Sequence, residues 1–141
     1  KEFSAKKRLK ELGCSVGEEL LKPTKIYVKS ILKLLKSYKV KGLAHITGGG
    51  ITENLPRVLP KGLKAVIEKG SWPVQSVFSY IQSEGKVPED EMYKTFNMGI
   101  GFMLVVNKND AQKVIRRSRS LGEDAFIMGE IVKGRRGVKY I

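Results

Sequence analysis

Three consecutive glycines, Gly48–Gly50, lie at the centre of the stretch whose residue types are best suited to chemistry. Glycine loses the most backbone freedom on folding, so a triplet in a folded domain indicates positive φ angles or a backbone that another group approaches closely. The short apolar segment 42–46 before the triplet predicts a strand. Pro56 is tolerated only in the first turn of a helix, so a short helix is predicted to begin near residues 52–54 and to end before Pro60.

A strand, a glycine loop and a helix N-terminus in succession are typical of anion sites. Free backbone N–H groups and the positive end of the helix dipole converge there, which favours a phosphate-bearing ligand. The residues assigned to this site are those of the loop and the polar residues beside it: Thr47, Gly48, Gly49, Gly50, Thr52 and Asn54. The alternative is a tight turn in which the glycines only let the chain reverse.

His45 closes the predicted strand and is the only histidine of the chain. Its ring makes it a candidate general acid or base beside the loop, although a purely structural role is the alternative. With one histidine and one cysteine, Cys14, a histidine-rich metal site and an internal disulfide are excluded, and no metal ligand is assigned. Cys14 is interpreted as a structural thiol because no histidine lies near it in the sequence.

A second glycine pair, Gly99 and Gly101, lies in the stretch 95–102. In a strand, two glycines two residues apart leave the same face bare, so another group is expected to approach there. Asn97 is assigned to the ligand site on the condition that the glycine loop lies against this strand. The alternative is that a packed helix or a bulge occupies the bare face. The apolar run 103–106 predicts a central strand covered on both faces.

The composition is that of one globular domain over residues 1–141, with 41% hydrophobic and 29% charged residues. No apolar run approaches the roughly 20 residues of a membrane span, and there is no apolar signal-peptide core, so no membrane partner and a cytoplasmic location are expected. The chain starts without methionine, which favours a domain cut from a longer protein.

The net charge of +13 attracts anions, including nucleic acid and phosphorylated metabolites. The basic residues lie mostly on the polar faces of predicted helices, and no alternation of arginine with aromatic residues predicts a base-stacking surface. A nucleic-acid partner is therefore not expected, and a basic nucleic-acid-binding or regulatory module is kept as the alternative function.

The elements that must position these residues are predicted from hydrophobic periodicity, caps and turns. The helix from Lys29 has the clearest pattern, because Val28, Ile31, Leu32, Leu35 and Tyr38 share one face and lysines fill the other. The remaining predictions are helices over 4–12 and from residues 71, 87 and 109, an extended segment 23–28, strands 63–68 and 125–132, and a turn 134–137 that returns 138–141 as the hairpin partner of 125–132.

This alternation predicts an α/β (α+β) fold: a three-layer α/β/α domain with a mixed β-sheet flanked by helices. Four stretches of the sequence also resemble a known protein family. They are Leu20–Val28, His45–Gly50, Glu53–Pro60 and Thr95–Gly101, which occur in the same order over essentially the whole chain. They resemble the C-terminal half of the phosphoribosylformylglycinamidine cyclo-ligases, the aminoimidazole ribonucleotide synthetases of purine biosynthesis.

The resemblance implies an ATP-dependent ring closure. ATP activates the formyl amide oxygen of formylglycinamidine ribonucleotide, the amidine-derived nitrogen attacks the activated carbon, and ADP and phosphate leave. The family's N-terminal domain supplies most acidic ligands of Mg²⁺ and ATP and forms the homodimer, so this chain is expected to bind neither cofactor alone and to be inactive alone. A related ATP-binding synthetase or kinase of the same two-domain plan is the third hypothesis.

Overall fold

The computed structural model describes residues 4–141. Strands and helices alternate along most of the chain. The strands are β1 (Arg8–Leu9), β2 (Cys14–Ser15), β3 (Val40–His45), β4 (Leu63–Ile67), β5 (Phe102–Val106), β6 (Gly129–Lys133) and β7 (Val138–Tyr140). The helices are α1 (Val16–Leu20), α2 (Val28–Ser37), α3 (Gly50–Asn54) with a following 3₁₀ turn (Leu55–Val58), α4 (Ser76–Gly85), α5 (Glu89–Thr95) and α6 (Lys108–Ser120).

The strands form three sheets. β1 pairs with β2, and β3 pairs with β5, both antiparallel. The third sheet is mixed, because its central strand β4 is antiparallel to β6 and parallel to β7. A mixed α/β fold with helices and a mixed sheet was expected from the sequence, and this fold class is confirmed.

The core lies where α3 packs on α5 and where the 3₁₀ turn after α3 contacts both β3 and β4. Ile51, Leu55 and Met92 are completely enclosed there. Trp72 is also buried, and its indole Nε1 donates a hydrogen bond of 2.9 Å to the carbonyl oxygen of Met98. This core holds the chain on both sides of the glycine triplet.

Several elements follow the sequence predictions closely. The predicted strands 42–46 and 63–68 are β3 and β4, and the predicted helices from residues 29, 87 and 109 are α2, α5 and α6. α3 begins at Gly50, slightly earlier than predicted. α4 begins at Ser76 rather than at residue 71. The residues before it are irregular, and among them Trp72 donates its indole hydrogen bond to the Met98 carbonyl.

The predicted helix over residues 4–12 is wrong. Residues 8–15 instead form the short β1–β2 hairpin, which turns back at Gly13 with φ of +67°. The helix begins later, at α1, because the Ser15 side chain accepts from the Glu18 backbone N–H and the Glu18 carboxylate accepts from the Ser15 N–H. This capping box fixes the helix start.

Three predictions about strands are also wrong. β7 is not the hairpin partner of β6 but pairs in parallel with the opposite edge of β4, where Ala65 lies opposite Val138. The stretch 95–101 is not a strand: Thr95 ends α5, and residues 96–101 form a turn in which Met98 and Gly99 have φ angles of +49° and +91°. Within residues 4–141, β5 pairs only with β3 and is half-buried, so it is not a central strand.

Candidate functional site

The glycine loop folds through left-handed backbone at two positions. Gly49 and Gly50 have φ angles of +94° and +56°, and the Gly50 N–H donates to the Thr47 carbonyl at 3.0 Å. Gly50 is buried, and a Cβ atom there would collide with the carbonyl oxygens of Tyr93 and Phe96 at the end of α5. Positive φ angles and a close approach were both predicted, and the approaching group is the chain's own backbone.

Two polar residues assigned to the ligand site hold the loop from inside. The Asn54 Nδ2 atom is buried and lies 2.8 Å from the Gly50 carbonyl oxygen and 3.1 Å from that of Gly48. The Thr52 hydroxyl lies 2.9 Å from both the Tyr93 carbonyl oxygen and the Tyr140 hydroxyl. Both side chains therefore stabilise the loop, and contact of either one with a ligand stays a prediction.

The outer edge of the loop is open. Thr47 and Gly48 are exposed, and no atom lies within 4 Å of the Cβ position at Gly48. Among residues 4–141, the backbone N–H groups of Gly48 and Gly49 have no acceptor. Two backbone donors are thus unpaired at this edge, where the Glu53 carboxylate also lies close to the Cβ position of Gly49.

A cleft of about 300 Å³ lies beside the end of β3. It is bordered by the segment between α1 and α2, by the start of α4 and by the turn before β5. Its lining residues are Glu19, Lys22, Pro23, Thr24, Lys25, Tyr27, His45, Ile46, Gln75, Val77, Phe78, Asn97, Gly99 and Gly101. Of the residues predicted to form the site, His45 and Asn97 line this cleft, whereas Thr47, Gly48, Gly49, Gly50, Thr52 and Asn54 lie outside it.

The cleft carries two ammonium groups that the sequence analysis did not assign to the site. Lys22 Nζ lies 2.5 Å from a carboxylate oxygen of Glu19, and Lys25 Nζ lies 2.6 Å from one of Glu123. These hydrogen bonds raise the pKa of both lysines, so both are protonated at neutral pH. The signal was present in the sequence, as two lysines flanking the Pro23-Thr24 pair, but their approach to His45 depends on the tertiary fold.

Aromatic rings border the cleft on one side. The His45 ring stacks on Phe102 with centroids 5.8 Å apart, and Tyr27 lies 5.5 Å from Phe102. A Cβ atom at Gly101 would collide with the Tyr27 ring, which explains why glycine is needed there. Close approach to Gly101 was predicted, and Tyr27 is the approaching group.

Asn97 and Gly99 form the opposite border of the cleft. The Asn97 side-chain oxygen accepts from the Gly99 N–H at 3.0 Å and so holds the turn before β5. The space beside Gly99 is filled by the amide of Gln75. The glycine pair therefore admits side chains of this chain, and contact of the Asn97 side chain with a ligand stays a prediction.

Cys14 has a structural environment. Its thiol lies 3.5 Å from Glu19, and burial together with this carboxylate raises the pKa of Cys14, which disfavours the reactive thiolate.

Over residues 4–141, no three His, Cys, Asp or Glu side chains gather as a metal ion would require. No helix in the same range is both long and apolar enough to cross a membrane.

The architecture is found in known structures. Two crystal structures of HypE from E. coli, one described as a hydrogenase maturation protein, superpose with a TM-score of 0.64 each. They are 24% and 23% identical to this chain, cover 82% and 89% of it, and are themselves covered to 36% and 40%. This likeness shows that the chain shares their α/β domain fold.

The family is more specific. The sequence model of the family described as "AIR synthase related protein, C-terminal domain" matches residues 1–141, and the chain belongs to this family. It is 56% identical over 129 residues to the phosphoribosylformylglycinamidine cyclo-ligase of Brevibacillus brevis and 47% identical over 132 residues to that of Desulfotalea psychrophila. These matches cover 92% and 94% of this chain but only 37% of each relative. The resemblance read from the sequence is confirmed.

Proposed function

We propose that this chain works as the C-terminal part of a phosphoribosylformylglycinamidine cyclo-ligase in the cytoplasm. The complete enzyme converts formylglycinamidine ribonucleotide and ATP to aminoimidazole ribonucleotide, ADP and phosphate. The observation that carries the proposal is the 56% identity, over 92% of the chain, to a relative with that name. Because the chain spans about a third of its relatives' length, the remaining catalytic groups belong to an N-terminal domain of the same polypeptide.

The cleft and the outer edge of the glycine loop are the parts that this chain contributes. The protonated Lys22 and Lys25 and the free N–H groups of Gly48 and Gly49 are donors suited to the phosphate of the ribonucleotide or of ATP. Such groups promote ring closure by positioning the substrate and stabilising charge, without a covalent nucleophile. His45, on the wall of the cleft, is the candidate for proton transfer.

Mg²⁺ and ATP are needed by the complete enzyme. Mg²⁺ prefers carboxylate oxygens and water, and residues 4–141 gather no set of acidic side chains that fits it. The metal ligands therefore come from the N-terminal domain, which also forms the homodimer, and the 141-residue chain is inactive alone.

The test is turnover by the full-length polypeptide. Purified protein supplied with formylglycinamidine ribonucleotide, ATP and Mg²⁺ is expected to release aminoimidazole ribonucleotide, ADP and phosphate in equal amounts. Folded protein that forms no product would contradict the proposed function. Salt-sensitive binding of duplex DNA or RNA by such a protein would instead support the nucleic-acid alternative.

Variants of the same polypeptide test the assignment of the cleft. Lys25→Ala is expected to lower kcat/KM by about tenfold or more, because a charge-assisted contact to phosphate is lost. Lys33→Ala, an exposed lysine of α2 outside the cleft, is the matched control and is expected to retain full activity. Equal activity of the two variants would refute the cleft assignment while leaving the proposed reaction in place.

A further inference from the structure

The helix α2 presents an apolar surface to solvent. Ile26, Val28, Leu32 and Leu35 are exposed by 82%, 60%, 54% and 40%. Together with the half-buried Ile31 and Phe102, these residues are called the α2 surface below. Contiguous apolar surface of this kind on a folded domain usually marks an interaction site.

The orientation of α2 is unusual for an amphipathic helix. Val28, Leu32 and Leu35 follow the i, i+4, i+7 spacing of one helix face, which normally packs on the core. Here the residue of α2 that is fully buried is Leu34, on a different side of the helix. The face that periodicity predicts to be internal is therefore left uncovered by residues 4–141.

The α2 surface surrounds a concave site of about 380 Å³. Almost all of its lining is apolar, and it is formed by Lys25, Ile26, Tyr27, Val28, Ile31, Leu32, His45 and Phe102. Lys25, Tyr27 and His45 also line the charged cleft, so the two concavities share a wall. A group that fills the apolar site would consequently lie against the cleft.

We propose that the α2 surface is the docking site for the N-terminal part of the same polypeptide, and that this contact closes the cleft along Tyr27 and His45. The inference rests on the proposed function for the existence of that part. The chain spans only 37% of the length of relatives such as the Brevibacillus brevis protein, so most of their polypeptide lies outside it. A covalently attached partner has a high effective concentration at this surface.

Charge argues against a second copy of this chain as the occupant. α2 carries Lys29, Lys33 and Lys36 and no acidic residue. Lys29 and Lys36 lie one helical turn from Leu32 and border the apolar face, whereas Lys33 lies on the far side of the helix. In a symmetric contact between two α2 surfaces, Lys29 and Lys36 of both copies would approach one another, which is unfavourable. The surface is complementary to an apolar patch with carboxylates at its rim, and this is the chemistry inferred for the N-terminal part.

Cysteine accessibility in the full-length polypeptide tests the docking site. In a background of Cys14→Ser with other accessible cysteines replaced, Leu32→Cys and Lys33→Cys place a thiol on neighbouring residues of one helix. Native protein treated with a maleimide is expected to label the Leu32→Cys variant about tenfold more slowly than the Lys33→Cys control, because the covered thiol reacts only after local opening. If Leu32→Cys fails to fold, Leu35→Cys replaces it, again with Lys33→Cys as the control.

Equal labelling rates would overturn the proposal. Protection of the Leu32→Cys variant that disappears when the protein is diluted to a monomer would also overturn it, since a second copy would then cover the surface. Turnover measured on the same samples separates the two proposals. Rapid labelling of an active enzyme refutes the docking site alone, whereas protection in a folded but inactive protein refutes the proposed reaction alone.

Discussion

The glycine loop and the α2 surface are neighbours along the chain, but the chain covers the first and leaves the second exposed. Loop carbonyls are held by the buried Asn54 amide, and the loop packs against the carbonyls of Tyr93 and Phe96. The α2 surface instead exposes Leu32 and Ile26, and no part of residues 4–141 covers it. The comparison teaches that the glycine motif is held largely by this chain's own groups, whereas the apolar face of α2 is left uncovered within residues 4–141.

The largest expected effect is at the inner end of the loop. Gly50→Ala should lower the free energy of unfolding by more than about 3 kcal/mol, because its Cβ would meet two backbone carbonyls at a positive φ. Gly48→Ala, which meets open space, should change it by less than about 0.5 kcal/mol. Denaturant unfolding of both variants checks this, and equal losses would show that the loop is not anchored at Gly50.

The next effect concerns the amide that holds the loop. Asn54→Ala should cost about 1 to 3 kcal/mol in unfolding free energy, since it removes the hydrogen bonds that the buried Asn54 amide donates to the Gly48 and Gly50 carbonyls. Asn109→Ala, at an exposed position of α6, is the control and should cost less than about 0.5 kcal/mol. A neutral Asn54→Ala variant would mean that the loop is held by something other than this side chain.

A smaller effect is expected where the two regions meet. Gly101→Ala should cost about 1 to 3 kcal/mol by overpacking against Tyr27. In a Tyr27→Ala background the same substitution should cost about 1 kcal/mol less, because the obstructing ring is gone. Thermal or denaturant unfolding of the four proteins gives this coupling. Additive losses would show that the cost of a side chain at Gly101 does not come from contact with Tyr27.

The smallest effect concerns the ion pair beside α2. Burial raises the pKa of Glu123, but hydrogen bonds from Lys25 and Ser30 outweigh it, and the pKa is lowered overall. A lowered folded-state pKa stabilises the fold above the unfolded value of about 4.3 and ceases to do so as the pH falls through the folded value. Glu123→Gln should therefore lose less than about 1 kcal/mol at pH 7, with the difference from the parent shrinking as the pH falls below about 4.3. A constant difference across this range would contradict the role of ionisation.

Local patterns were sufficient where the governing interactions are local. Helix periodicity placed α2, and an apolar run with turn residues around it placed β4. β7 was assigned to the wrong partner because both edges of β4 accept a strand, and only tertiary packing selects between them. The helix predicted over residues 4–12 failed because the backbone of this segment pairs with residues 14–17, a partner that the pattern of residues 4–12 does not reveal.

The candidate site was predictable only where its residues are close together in the sequence. The need for glycine at Gly50 and Gly101 follows from local sequence, but the groups that approach them, at the end of α5 and in Tyr27, are distant along the chain. Lys22 and Lys25 were not assigned because their convergence with His45 depends on how the segment between α1 and α2 crosses β3. Binding of a ligand by the predicted site residues stays a prediction.

The bond between Trp72 and Met98 has a practical consequence. Trp72 is the only tryptophan of the chain, and its indole is anchored to the residue that precedes Gly99 on the border of the cleft. Indole emission is sensitive to local polarity and to loss of this hydrogen bond. The domain therefore carries a built-in fluorescent probe of the turn before β5, which follows movement of that turn in solution without chemical labels.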